Sequence, residues 1–135
     1  MATNVTAKIS KNHYKTTITN ERRELIADEP IEAGGTDLGF SPTELLCSAL
    51  ATCTCITLRM YADRKSWALE DVNVQVSFER DSAQNLTQMH RHITLIGDLT
   101  EEQRGQLLII ANKCPIHKVL TNPIAVDSKL IGHSE

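Results

Sequence analysis

Residues 41–67 read SPTELLCSALATCTCITLRMYADRKSW, and the reading of this stretch decides the fold. Ser41 is a good helix N-cap, and Pro42 suits the first helical position because the N–H it lacks is not needed there. Glu44 stands three residues after the cap, as in a capping box. The pattern predicts one long helix over 41–67 carrying three of the four cysteines. Leu46, Leu50 (with Ala49), Cys53, Ile56 (with Thr57) and Met60 recur at three- and four-residue spacing. They predict one apolar face with Cys53 near its middle, turned toward a core. At about 1.5 Å per residue the segment is longer than a small domain covers, which leads to the expectation of a second subunit along it.

The chain has 135 residues and is 41% apolar, which predicts a single domain, 1–135, with an ordinary core. Fourteen basic and seventeen acidic residues give a formal charge of −3, without a basic block, so nucleic acid is not an expected partner. The first ten residues lack the apolar core of a signal peptide, and no apolar run is expected to approach the ~20 residues that span a bilayer. The expectation is a soluble, cytoplasmic protein with no membrane partner. In a reducing compartment, four cysteines point to reactive thiols, metal ligands or plain core residues before structural disulfides.

Upstream of the helix, Val5, Ala7 and Ile9 alternate with polar residues, Tyr14, Thr16 and Ile18 do so after a turn near Lys11 and Asn12, and Leu25 to Ala27 adds a third strand. These predict a small antiparallel meander. Pro30, Gly34, Gly35 and Gly39 predict a flexible loop over 28–40 that borders a pocket at the helix start. Downstream, Val72, Val74, Val76 and Phe78 predict a strand with one buried face. Residues 80–87 predict the connection to an antiparallel partner over 89–96, with Met89, Ile93 and Leu95 inward and His90 and His92 on the opposite face. Thr100 and Gln103 form a second capping-box signature before a helix ending near Lys113, with Leu107, Ala111 and Cys114 on its apolar side. Pro115 stops that helix and opens a short one over 115–120, placing Cys114 at a helix N-terminus. Ile124, Val126 and Leu130 predict a final strand.

Cys53 and Cys114 are the candidate chemical pair, each on an apolar helix face. The plain alternative is that both are small buried hydrophobes. Helix-start N–H groups favour a thiolate at Cys114, whereas Cys53 in mid-helix needs a cationic neighbour. Cys55 lies about 200° round the helix from Cys53 and Cys47 about 240°, so neither shares its face. A metal site built from His90 and His92, or from Cys114 and His117, lacks the matched spacing of a zinc motif, and unliganded histidines are the better reading. Glu44 is a candidate to orient a cation near Cys53, although the cap already accounts for it.

The segments GFSPTELLCSALATCTCITLRMYA and ANKCPIHKVL, some sixty residues apart, resemble the OsmC/Ohr family of thiol peroxidases, and the order of elements agrees over essentially the whole chain. The resemblance implies an α+β fold that assembles as an intertwined homodimer, long central helices packed against curved, mainly antiparallel sheets. It implies peroxiredoxin-like chemistry in an oxidative stress response: Cys53 attacks an organic hydroperoxide or hydrogen peroxide, Cys114 resolves the sulfenic acid as a disulfide, and a dithiol, often of the lipoyl type, restores the thiols. No bound cofactor is implied. Peroxidase members use an arginine from the N-terminal strands, held by a glutamate ten residues before the first cysteine. Here that position is Thr43, with Glu44 one residue closer, and Lys15 falls at the arginine's place, Arg22 and Arg23 being alternatives. Lysine does not reproduce arginine's planar fork, and the chain is more similar to the OsmC-like branch than to the dedicated organic hydroperoxide enzymes. The alternative carried with this reading is a non-enzymatic redox-sensing or small-ligand-binding protein of the same fold. A third is a structural dimer with inert core cysteines.

Overall fold

The computed structural model describes residues 2–132. The N-terminal alternation forms the expected antiparallel meander of β1 (Thr6–Ile9), β2 (Thr16–Thr19) and β3 (Glu24–Ala27), in which Ala7 pairs with Ile18 and Ile18 with Leu25. Asn20 shapes the β2–β3 turn, its side-chain oxygen accepting the N–H groups of Arg22 and Arg23 at 2.9 and 2.7 Å.

The loop that follows is built around one carboxylate. Asp28 is only 2% exposed, and its Oδ1 accepts the N–H groups of Tyr14, Glu29 and Thr36 at 3.0, 2.7 and 3.4 Å. Its Oδ2 accepts the Thr36 hydroxyl at 2.7 Å and the Leu38 N–H at 3.2 Å. Burial alone would raise the pKa of this group, but five donors outweigh it and hold the carboxyl well below the usual carboxylate range. The glycines here serve close approach: a Cβ on Gly35 would lie 2.1 Å from the Glu29 carbonyl oxygen, and one on Gly39 would lie 2.0 Å from that of Ile26. Thus the loop expected to be flexible contains a 3₁₀ turn at Ile31–Ala33 and a polar centre that glycine and proline signals do not reveal.

Phe40 bridges Ala27 in parallel and leads into α1 (Pro42–Lys65). The capping box is present: Ser41 N–H donates to Glu44 Oε1 at 2.9 Å, and Glu44 N–H donates to Ser41 Oγ at 3.2 Å. The line that a single chain buries is displaced from the expected face. The buried line is Leu50, Thr54, Leu58 and Ala62, while Leu46, Ile56 and Met60 are 40, 49 and 63% exposed and Cys53 is half-buried. Within one chain, Thr54, a polar residue by type, is wholly buried and continues the i+4 line of Leu50, Leu58 and Ala62, whereas the expected face is one for a second subunit to cover. Contrary to the sequence expectation, α1 is long and apolar enough to cross a membrane by length and composition alone. Arg59 on it instead donates to the backbone carbonyls of Leu69 and Glu70 and to Asp63, tying the helix to the next strand.

That strand, β4 (Leu69–Asp81), and β5 (Leu86–Gly97) form a two-stranded hairpin. Val72, Val74, Val76 and Phe78 alternate inward as expected, as do Met89, Ile93 and Leu95. Both strands run further than the sequence suggests, and Arg80 donates to Thr87 and Asn85 where a loop was expected. Thr100 and Gln103 make a reciprocal capping box at α2 (Glu101–Ala111), and α3 (Pro115–Leu120) follows.

Two compact units divide the chain, residues 2–51 with 75–92 and residues 52–74 with 93–132. The core of the second consists of Leu58, Leu107 and Ala111, all fully buried, with Tyr61, Trp67, Val72, Ile93, Leu95, Leu99 and Ile110 around them. The final strand expected at Ile124, Val126 and Leu130 is not formed; residues 123–132 have no regular structure, and these three side chains are 61, 83 and 101% exposed. Apolar alternation specifies a strand only where a neighbouring strand supplies a ladder, and among the described residues none pairs with this segment.

The Asp28 network has a pH signature. Its folded pKa is depressed, so its contribution to stability is present above the unfolded value near ~4 and is lost as pH falls below it. Asp28→Asn, whose amide nitrogen cannot accept the two donors at Oδ2, is expected to lower the urea midpoint at pH 7. Its difference from the unsubstituted protein should shrink at pH 3, and an equal difference at both pH values would contradict this assignment.

Candidate functional site

Cys114 is the most completely enclosed of the four thiols, with no exposed surface. It is placed by the break between two helices: α2 ends at Ala111, and Pro115 begins α3 with Cys114 as its N-cap. The Cys114 sulfur accepts the His117 N–H at 3.3 Å, an interaction that favours negative charge on sulfur. On its other side, Sγ lies 4.0 Å from Oγ1 of Thr54, which is also fully buried.

Thr54 is the residue after Cys53. Cys114 thus packs against the sequence neighbour of Cys53, and Cys53 itself, half-buried, has its sulfur 4.0 Å from Thr57 Oγ1 one turn on. Both are free thiols, as are Cys47 and Cys55. Cys55 turns away as the helical geometry requires and directs its S–H toward the Val72 carbonyl at 3.8 Å. Burial pushes its thiol pKa up, which disfavours the thiolate.

The remaining sequence candidates lie in the first unit. Glu44 accepts the Ser41 N–H in the cap. Lys15 is exposed and sits between Tyr14 and Thr16. Both of these neighbours line a cavity of about 680 Å³ that also includes Ala27, Asp28, Pro42 and Leu45, the pocket expected at the helix start. Arg22 and Arg23 are exposed in the β2–β3 turn. His90 is exposed and faces Glu79, with Nε2 3.1 Å from Oε1. Among the described residues no group of three or more His, Cys, Asp or Glu side chains is placed to hold a metal ion. Sequence reasoning missed Thr54 and Asp28, both polar residues that the fold buries. The i+4 spacing of Thr54 between Leu50 and Leu58 was the available signal for the first. For Asp28 there was none, because its donors are scattered from Tyr14 to Leu38.

The family model described as OsmC-like protein matches residues 34–129, which include α1, both hairpin strands and the Cys114–Pro115 junction. The chain belongs to the OsmC-like protein family. Solved structures agree in fold with this OsmC-like chain. An OsmC-like protein from Mycoplasma pneumoniae superposes with a TM-score of 0.76 at 19% identity, covering 89% of this chain and 87% of that one. An organic hydroperoxide resistance protein OsmC from Legionella pneumophila gives 0.64 at 21% identity, covering 90% of each. The organic hydroperoxide resistance protein OhrB of Bacillus subtilis gives 0.62 at 21% identity, with 90 and 91% covered. No curated protein sequence matches the OsmC-like chain at a significant level.

The raised Cys55 pKa gives a direct expectation for thiol chemistry. In a variant retaining Cys55 alone, iodoacetamide labelling of the folded protein should have its pH midpoint above the ~8.5 of an unperturbed thiol and return to it in denaturant. A folded-state midpoint at or below that value would contradict the placement of Cys55 against the Val72 carbonyl.

Proposed function

We propose that this OsmC-like chain is a thiol-dependent peroxidase in which Cys53 and Cys114 are the redox pair. The observation that carries the reading is the position of Cys114: a fully buried thiol, held by a backbone N–H at a helix N-cap and packed against the residue next to Cys53. A buried cysteine used only as filler needs neither the cap nor the second cysteine's neighbour. The half-buried Cys53 is the more accessible of the two and therefore the residue that meets peroxide.

In the reaction the Cys53 thiolate attacks the O–O bond of an organic hydroperoxide or hydrogen peroxide, and one oxygen is transferred to sulfur while the alcohol or water leaves. Cys114 displaces hydroxide from the resulting sulfenic acid, which departs as water, and an intramolecular disulfide forms. A dithiol reductant, of the lipoyl type in the family this chain resembles, returns both thiols. The chemistry is carried by sulfur alone, without a bound cofactor. Lys15 is the proposed cation for Cys53 and Glu44 its orienter, with Arg22 or Arg23 as the cation if Lys15→Met leaves peroxide attack unchanged.

The proposed unit is a cytoplasmic homodimer of a single OsmC-like domain. Supporting it, α1 leaves Leu46, Ile56 and Met60 largely uncovered, and Ile124, Val126, Leu130 and Ile131 are exposed beyond α3. Exposed apolar surface of this kind is what a second subunit would cover.

With tert-butyl hydroperoxide and a dithiol reductant, steady-state consumption is expected, and Cys53→Ser abolishes it. Cys114→Ser allows a single turnover and leaves a sulfenic acid that dimedone traps. Unchanged consumption in Cys53→Ser would overturn the proposal. Formation of the disulfide without sustained turnover would instead assign the chain a redox-sensing role.

A further inference from the structure

Thr54 stands out in its own line of α1. Leu50, Leu58 and Ala62 are apolar, yet the position between them carries a hydroxyl with no exposed surface. The Thr54 hydroxyl faces the Cys114 sulfur at 4.0 Å, and that sulfur also accepts the His117 N–H at 3.3 Å. Two polar groups of different kinds thus meet one buried sulfur, a hydroxyl from the helix of Cys53 that can donate or accept and a backbone N–H from α3 that donates.

We propose that Thr54 is a positioning residue for the resolving step: its hydroxyl and the His117 N–H hold the Cys114 sulfur in the orientation from which it attacks the sulfenic acid on the adjacent Cys53. The proposal rests on the peroxidase reading of the pair. In the thiol form Cys114 S–H donates to Thr54 Oγ1; once the proton is lost, the hydroxyl turns and donates to the thiolate, so the same contact serves both protonation states. In the step itself the Cys114 thiolate forms the S–S bond, the S–O bond of the sulfenic acid breaks, and hydroxide leaves with the proton that Cys114 released, as water. The sulfenic sulfur is reduced and the Cys114 sulfur oxidised, so electrons balance without a further reactant. The arrangement also separates the tasks of two neighbouring residues. Cys53, at the edge of the buried line, meets peroxide, while Thr54, inside it, presents the partner sulfur.

The test is single-turnover kinetics on the full chain. One equivalent of tert-butyl hydroperoxide is added across a range of pH, and the loss of dimedone-reactive sulfenic acid is followed as the disulfide appears. Thr54→Val keeps the shape and removes the hydroxyl. The resolving rate near neutral pH is expected to fall about tenfold, the loss of one charge-assisted hydrogen bond, with the pH midpoint of that rate moving upward. The preceding attack of Cys53 on the peroxide should be unchanged. Thr54→Ser and Thr54→Ala control for packing, since both lose the methyl group and only serine keeps the hydroxyl; serine should stay within about twofold of the unsubstituted rate while alanine falls with valine. His117, Lys113 and Lys118, the other titratable groups nearest Cys114 in the chain, are the same in every variant, so a difference in pH midpoint reports the hydroxyl. A valine variant with the unsubstituted rate and midpoint, or a serine variant as slow as alanine, would overturn the role of Thr54 and leave the cysteine pair standing. If the unsubstituted protein forms no Cys53–Cys114 disulfide, both fall.

Discussion

The contact among Leu58, Leu107 and Ala111 fixes the rotation of α1, and the candidate site follows from that rotation. All three side chains are sealed from solvent, and burying one leucine is worth about 1.5–3 kcal/mol. Turning α1 by one residue, about 100°, would bring Cys53 fully inward at the expense of Leu58 and Ala62. A sulfur hydrogen bond gained in exchange returns about 1 kcal/mol at most, so packing wins. Thr54, one turn before Leu58, is then inside and meets Cys114, and Cys53 is left at the boundary, reachable from outside. The difference in exposure between the two cysteines is thus a consequence of where the leucines go.

A separate polar device organises the approach to the same helix. Asp28 gathers donors from Tyr14, Glu29, Thr36 and Leu38, closing a loop whose glycines permit backbone contacts no side chain would tolerate. The strand end at Ala27, its bridge to Phe40 and the cap at Ser41 follow in close succession, so the start of α1 is set by hydrogen bonds while its middle is set by apolar packing. The cavity beside Tyr14, Thr16, Asp28 and Pro42 lies where this polar frame meets the helix.

Local devices are legible from sequence. The Ser41 with Glu44 and Thr100 with Gln103 caps involve residues three apart, and Pro115 acts on its own backbone, so type and spacing suffice to place them. The alternation of Val72 to Phe78 is equally plain because each side chain reports its own face. What depends on distant partners is hidden. The contact of Thr54 is with Cys114, sixty residues on, and the donors to Asp28 come from as far apart as Tyr14 and Leu38. The apolar residues of α1 outnumber the positions that one chain buries, so spacing alone selects Leu46, Ile56 and Met60 as readily as Leu58 and Ala62. For the same reason Ile124, Val126 and Leu130 read as a strand although the chain gives them no ladder. Cys53 and Cys114 are legible as a pair only through the family resemblance; the contact through Thr54 supplies the physical argument that pattern lacks.

The claim that these two thiols are one redox unit is tested most directly by mapping disulfides after oxidation. The full chain is treated with one equivalent of tert-butyl hydroperoxide, the remaining thiols are blocked, and the peptides are identified by mass spectrometry. The account predicts a single intramolecular link, Cys53 to Cys114, with Cys47 and Cys55 recovered as blocked thiols. A link between Cys53 and Cys55, or no intramolecular link at all, would contradict it.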